Sequence, residues 1–147
     1  MQLDKTSKIT TIIGLIFEGL GVFMFALTGT GMALINSMSR TEIMDFFGDE
    51  ITSNDLDIML MVFSVLAIIF IIIGFIALVF FLVNLVLFTK LINGKYTEEQ
   101  ASKVLLYQAI YGGINLMFNQ ILGVLYLVSG IQGRQKLLRK DTIKKEY

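Results

Sequence analysis

Glu18 is the only acid within an apolar run that extends from Ile9 to Ile35 and contains no Lys or Arg. A carboxyl group in such a setting has two uses. It can hold a proton or a small cation, or it can act as hydrogen-bonding glue to a neighbouring helix. Lys8 is the nearest preceding base, ten residues and so about 15 Å away along a helix axis. No base lies inside any apolar run of the chain, so the partners of Glu18 are expected among amides and hydroxyls. Gln108, Gly112, Asn115 and Asn119 recur at intervals of four, three and four, which puts them on one helical face with Tyr111 at its border. Asn84 lies in another apolar run. The sharpest expectation is a polar pocket where Glu18 meets Asn115 or Gln108. The alternative is ordinary helix packing, for which small residues are the signature. Gly14 and Gly21 flank Glu18, Gly74 and Ala67 lie seven apart, and Gly112, Gly123 and Gly130 mark the last run.

The chain excludes more chemistry than it suggests. It has no Cys and no His, so thiol nucleophiles, thiolate metal sites, imidazole bases and disulfides are all absent. No metal-ligand spacing, phosphate-cradling loop, nucleophile elbow or nucleic-acid-binding surface occurs. The sequence therefore nominates no catalytic residue, no metal, no cofactor and no nucleic-acid partner.

The elements that must position Glu18 follow from hydropathy. Hydrophobic residues make up 55% of the 147, and mean hydropathy is +0.75, too apolar for a soluble domain of this length. Three runs lack Lys and Arg: Ile9 to Ile35, Ile58 to Thr89, and Val104 to Gly133. Each is longer than the roughly 20 residues that cross a hydrocarbon core of about 30 Å. None has the charged face that a helix in a soluble bundle presents to water. An integral membrane protein is the expectation, with the lipid bilayer as its first partner. The first run exceeds the apolar core of a signal peptide and contains Glu18, so a retained span is expected, although ALTGTGMALINS supplies small residues of the kind found at cleavage sites.

The last run could be one long helix or a hairpin folded at Phe118-Asn119-Gln120. Charge decides between them, because Lys and Arg collect in the cytoplasmic loops of membrane proteins. One helix, with the N-terminus inside, leaves five Lys/Arg inside and seven outside, and the reverse orientation gives seven inside and five outside. A hairpin puts eleven inside and leaves only Arg40 outside. The expected fold is therefore an all-α, four-helix membrane bundle, one domain over 1–147. Its spans are about 9–35, 58–89, 100–117 and 120–138, with both termini cytoplasmic in the plasma membrane. The last two legs are short, so they either span with Lys103, Arg134 and Lys136 snorkelling to the interface or form a re-entrant hairpin.

Between the spans lie an acidic outer loop at 36–57, with six acids against Arg40, and an inner loop with an Asn93-Gly94 turn. Ser39 and Glu42 have capping-box spacing, and Ile43, Phe46 and Phe47 share a helical face, which fits a short surface helix or an incidental turn. Ser53, Asn54 and Asp55 offer N-cap chemistry for the second span, and Thr97 with Gln100 caps the third. The tail at 134–147 carries six bases and two acids, a topology determinant that also suits anionic lipid.

TSKITTIIGLIFEGLG, the acidic loop, the long second span, the Lys-rich inner turn and the closing LVSGIQGRQK together resemble a group of small four-span membrane proteins of unknown function from Gram-positive bacteria. That resemblance implies a bacterial plasma-membrane protein and no activity. FEGLG also looks similar to the first helix of the small multidrug resistance transporters, four-span proteins with a membrane-embedded Glu. The long acidic first loop, the absence of Trp and the one-sided charge depart from that pattern. The functional expectation is a non-enzymatic accessory or interaction subunit, for example in immunity or envelope stress, contacting another membrane protein or a second copy of itself. The alternative is a small oligomeric proton-coupled transporter using Glu18.

Overall fold

The computed structural model describes residues 3–47 and 52–145. Asp49 and Glu50 of the acidic loop lie outside the described residues. Five α-helices make up the described chain: α1 (Lys5–Ser37), α2 (Arg40–Phe47), α3 (Ser53–Ile92), α4 (Glu98–Asn115) and α5 (Gln120–Lys145). Among the described residues there is no strand. The chain forms two compact units, Met1–Gly19 with Phe80–Tyr147, and Leu20–Val79.

The second unit pairs the C-terminal part of α1 with the first part of α3. Small residues let the two come together: a Cβ at Gly29 would lie 3.0 Å from Ile71 Cγ1, and one at Gly74 would lie 3.3 Å from Phe25 Cβ. Phe25 and Phe70 rings pack at 6.0 Å. The capping box at Ser39 starts a real helix: the Glu42 amide donates to Ser39 Oγ at 3.3 Å, and the Ser39 amide donates to Glu42 Oε2 at 2.8 Å. That helix, α2, buries Ile43, and Arg40 pairs with Asp57 at the start of α3. The cap of α3 is one residue earlier than the sequence suggested. Thr52 accepts from the Asp55 amide at 3.2 Å and donates to its carboxylate at 2.6 Å, which makes Ser53 the first helical residue.

In the first unit, α3 ends in a paired-bond turn. The amide of Lys95 reaches the Lys90 carbonyl at 3.0 Å and that of Gly94 reaches Leu91 at 3.1 Å, and Gly94 takes φ 67°. Only a residue without Cβ adopts that backbone cheaply. Thr97 and Gln100 then close a reciprocal capping box and start α4.

The last apolar run folds back on itself. Helix α4 ends at Asn115, and the Asn119 side chain caps α5 by accepting from the Leu122 amide at 3.2 Å. Within the turn, the amides of Met117, Phe118 and Asn119 remain bonded to carbonyls of Ile114 and Asn115. The two legs are antiparallel and touch backbone to backbone. A Cβ on Gly112 would sit 2.4 Å from Leu127 N, one on Gly123 2.5 Å from Leu116 N, and one on Gly130 2.6 Å from Ala109 N. Glycine is required there by close approach, not by backbone angle.

The number of spans needs correcting. Two helices, α1 and α3, are long and apolar enough to cross a membrane, not four. The reason is charge and polarity: α4 opens with Glu98 and Glu99 and carries Lys103, while from Gln132 onward α5 is rich in Gln, Lys and Arg. The tail also continues α5 to Lys145, since Gln, Lys, Leu and Arg are good helix formers and no Gly or Pro follows Gly133.

Candidate functional site

Helix α1 buries a polar stripe. Ser7, Thr11, Gly14 and Glu18, spaced by four, three and four, are its buried residues within the first unit. Each of the other elements of that unit turns a matching face inward: Asn84 and Phe88 from α3, Leu105, Gln108 and Gly112 from α4, Tyr126 and Ser129 from α5.

Three protein donors converge on Glu18. Asn84 Nδ2 and the Tyr111 hydroxyl each donate to Oε1 at 2.7 Å, and the Tyr126 hydroxyl donates to Oε2 at 2.7 Å. Asn84 is itself held in place, its Oδ1 accepting from the Tyr107 hydroxyl at 2.9 Å. Glu18 is 6% exposed, and Asn84 and Tyr126 are fully buried. Among the described residues no Lys or Arg forms an ion pair with it. A carboxylate offers about four acceptor positions, and three are filled here by groups that can only donate or that turn to donate.

The hydroxyls are held by their rings. Tyr107 and Tyr111, one turn apart on α4, stack at 5.9 Å. Tyr111 packs on Tyr126 at 5.8 Å and on Phe80 at 5.9 Å, and Phe88 meets Tyr126 edge-on at 5.1 Å. Gly14 makes room for this arrangement. Its missing Cβ would fall 2.4 Å from Tyr126 Cε1, so the ring lies directly on the α1 backbone one turn before Glu18.

A second cluster lies nearer the start of α1. Thr11 Oγ1 and Ser129 Oγ are 2.6 Å apart, both reach the Ser7 carbonyl, and Gln108 Nε2 donates to Thr11 Oγ1 at 2.9 Å. Gln108 Oε1 is buried without a partner. Beyond it, Asp4 accepts from Ser7 Oγ at 2.7 Å and from Lys136 Nζ at 2.8 Å. Burial pushes the Asp4 carboxyl up, but the Lys136 and Ser7 hydrogen bonds and the Lys136 charge outweigh it and hold the group below the usual carboxylate range.

The residues singled out from sequence are thus divided. Glu18, Asn84 and Tyr111 meet. Gln108 does not reach Glu18 and instead binds Thr11, about two turns earlier on α1. Asn115 donates to the Tyr111 carbonyl at 2.9 Å and stabilises the end of α4, and Asn119 caps α5. The pocket of Glu18 with Asn115 or Gln108 is replaced by one with Asn84, Tyr111 and Tyr126. Of the glycines, Gly14, Gly74, Gly112, Gly123 and Gly130 lie at close contacts, whereas a Cβ on Gly21 would meet nothing within 4 Å. Sequence reading missed the roles of Tyr107, Tyr126, Thr11, Ser7 and Ser129. The signal was present as pairs of hydroxyl residues three or four positions apart: Ser7 with Thr11, Tyr107 with Tyr111, and Tyr126 with Ser129.

Chemically the site is a hydrogen-bond hub on one carboxylate. Among the described residues no group of His, Cys, Asp and Glu is arranged to hold a metal. Comparison with protein-family models, curated protein sequences and solved structures finds no match.

Proposed function

We propose that the chain is a polytopic protein of the cytoplasmic membrane, with both termini inside, that serves as a non-enzymatic accessory or interaction subunit. The observation that carries the membrane reading is an inverted distribution of polarity. The buried polar side chains Ser7, Thr11, Glu18, Asn84, Gln108 and Ser129 face inward, while Ile68, Ile72, Phe75, Ile76 and Val86 of α3 are half exposed or more. Water would not tolerate a continuous apolar surface of that kind, and lipid would.

In this reading α1 and α3 cross the bilayer and the α4–α5 hairpin enters and leaves from the inside. Fourteen residues separate Lys103 from Phe118 and Asn119 from Arg134, so each leg reaches about 21–24 Å, short of a core of about 30 Å. The hairpin tip, with Met117 84% and Phe118 83% exposed, would sit in the outer leaflet. Its turn suits lipid because its amides remain bonded. Support for a non-catalytic role comes from Glu18 being engaged by three protein donors, which suits holding the hairpin better than handling a substrate.

A second reading, a proton-coupled transporter, draws on one feature: Glu18 is a buried acid ringed by hydroxyls whose protons can reorient. The absence of Cys makes the test simple. Single cysteines at Ser39 and Thr142 are labelled in intact cells with a membrane-impermeant maleimide. Labelling of the first alone is expected, and labelling of the second would overturn the topology. For function, a specific membrane partner is expected to co-purify with wild type and with Glu18→Gln alike. Cation efflux from liposomes by the purified protein, dependent on both pH and Glu18, would establish the transporter instead.

A further inference from the structure

The cytoplasmic end of α5 has a feature that the Glu18 hub does not use. Gln132, Gln135, Lys136, Leu138 and Arg139, all on α5, line an open hollow of about 710 Å³ along one side of that helix. The polar four are spaced by three, one and three, so they share one helical face. The adjoining stripe of the same helix is apolar and exposed: Ile121 59%, Val124 49%, Ile131 43% and Leu138 51%, at intervals of three, seven and seven. An exposed apolar stripe thus runs along α5 and ends in a group of cations and amide donors.

We propose that this end of α5 is a binding site for the phosphodiester headgroup of an anionic phospholipid, with the acyl chains along the Ile121–Leu138 stripe. Charge complementarity selects the occupant. Lys136 and Arg139 line the cavity, and the sequence adds Lys140, Lys144 and Lys145 against Asp141 and Glu146. Lys136 is shared: one of its three N–H donors goes to Asp4 at 2.8 Å, which leaves two for a phosphate oxygen. Asp4 also offsets one positive charge, so Arg139 carries the net attraction at the cavity. A guanidinium is the better of the two for a phosphate, since its planar fork meets two oxygens at once. The position fits as well, because the unbroken apolar part of α5 closes at Ile131 and its first base, Arg134, follows within one turn.

This site rests on the membrane reading proposed above, and the experiment separates the two. The full chain is reconstituted into vesicles of pure phosphatidylcholine and of phosphatidylcholine with phosphatidylglycerol, and thermal unfolding is followed by circular dichroism. Arg139→Gln and Asp4→Asn are compared with wild type. Phosphatidylglycerol is expected to raise the wild-type midpoint. Arg139→Gln should weaken the apparent lipid affinity by roughly fivefold, the share of one basic residue near an anionic surface. Asp4→Asn, which frees Lys136, should strengthen it. A phosphatidylglycerol shift that is absent, or equal in wild type and Arg139→Gln, would overturn the proposal. So would an equal shift with millimolar inorganic phosphate in phosphatidylcholine vesicles, since it would mark a site for free anions. Failure of the wild type to enter phosphatidylcholine vesicles at all would sink the membrane reading instead.

Discussion

Gly14→Ala tests the hub through its most crowded contact. The new methyl carbon would lie 2.4 Å from Tyr126 Cε1 and 2.9 Å from Cδ1, where carbon atoms rest at about 3.5–4.0 Å. The ring or the helix must therefore retreat by about 1.1 Å. Tyr126 cannot tilt freely, because it is fully buried between Phe88 at 5.1 Å and Tyr111 at 5.8 Å. A retreat of that size stretches the 2.7 Å bond to Glu18 beyond hydrogen-bond range. Overpacking costs about 1–3 kcal/mol, and the lost bond adds about 0.6–1.5 kcal/mol, so a total near 2–4 kcal/mol is expected. Gly21→Ala is the control, and its sign is opposite. Nothing lies within 4 Å of its Cβ, so the better helix propensity of Ala should stabilise by up to about 1 kcal/mol. Unfolding of the purified chain in micelles by increasing dodecyl sulfate measures both. The chain has no Trp, and Tyr107, Tyr111 and Tyr126 are three of its five tyrosines, so near-ultraviolet circular dichroism reports on the hub directly. In a Tyr126→Phe background, Gly14→Ala should cost less by the contribution of the lost bond. A Gly14→Ala variant as stable as wild type, with unchanged tyrosine bands, would refute the placement of the ring.

Three further outcomes follow from the same geometry. Glu18→Leu strands the donors of Asn84, Tyr111 and Tyr126 and should destabilise by about 2–4 kcal/mol, whereas Glu18→Gln keeps an acceptor and should lose less than half of that in the same micelle titration. Gly112→Ala drives a methyl group to 2.4 Å from a backbone nitrogen that cannot swing aside, and should separate the α4–α5 legs at a cost of about 2–3 kcal/mol, read as a lowered unfolding midpoint. Asp4 titrates below its ordinary 3.8, so its contribution is present above that pH and is lost as the pH falls through the lower folded value. Stability of wild type should therefore drop below about pH 4 by up to roughly 1 kcal/mol more than that of Asp4→Asn, and parallel pH profiles would refute the Asp4–Lys136 contact.

Much of the helical plan was legible because hydropathy and caps are local. The hairpin followed from counting Lys and Arg, and the boxes at Ser39 and Thr97 followed from spacing; all three appear as helix boundaries. What escaped was which polar side chains meet. Gln108 does reach α1, but at Thr11, about two turns from Glu18, and Asn115 turns back to the Tyr111 carbonyl of its own helix. Tyr111 reaches Glu18 because its side chain is long enough to do so from the border of their face. Tyr126 lies between Gly123 and Gly130 on α5, and the close approach at Gly14 of α1 lets its hydroxyl serve Glu18. Interhelical distance decided the partners, and distance is set by the smallest residues at each crossing. The apolarity of α4 and α5 was also overestimated, since an uncharged run need not supply two full spans.

The energetics of Glu18 indicate what the hub is for if lipid surrounds the chain. Placing an acid within a span costs about 2.5–3.5 kcal/mol, and three interhelical bonds averaging about 0.6 kcal/mol recover about 2 kcal/mol. The bonds alone therefore do no more than offset the insertion cost, and a leucine there would insert more readily but would strand three donors once the helices pack. The effect of Glu18 lies in the asymmetry of loss. With Glu18 present, only one docking of the hairpin satisfies Tyr111, Tyr126 and Asn84 together, and any other leaves buried donors unpaired at about 1–3 kcal/mol each. Apolar contact cannot make that distinction in a bilayer, because lipid tails replace a helix surface at little cost. The Thr11–Ser129–Gln108 cluster repeats the device about two turns away on α1, and two such points fix both the depth and the rotation of α4 and α5 against α1. The short legs of the hairpin, too charged at the ends away from the turn to span by hydropathy alone, are the elements that most need to be told where to stop.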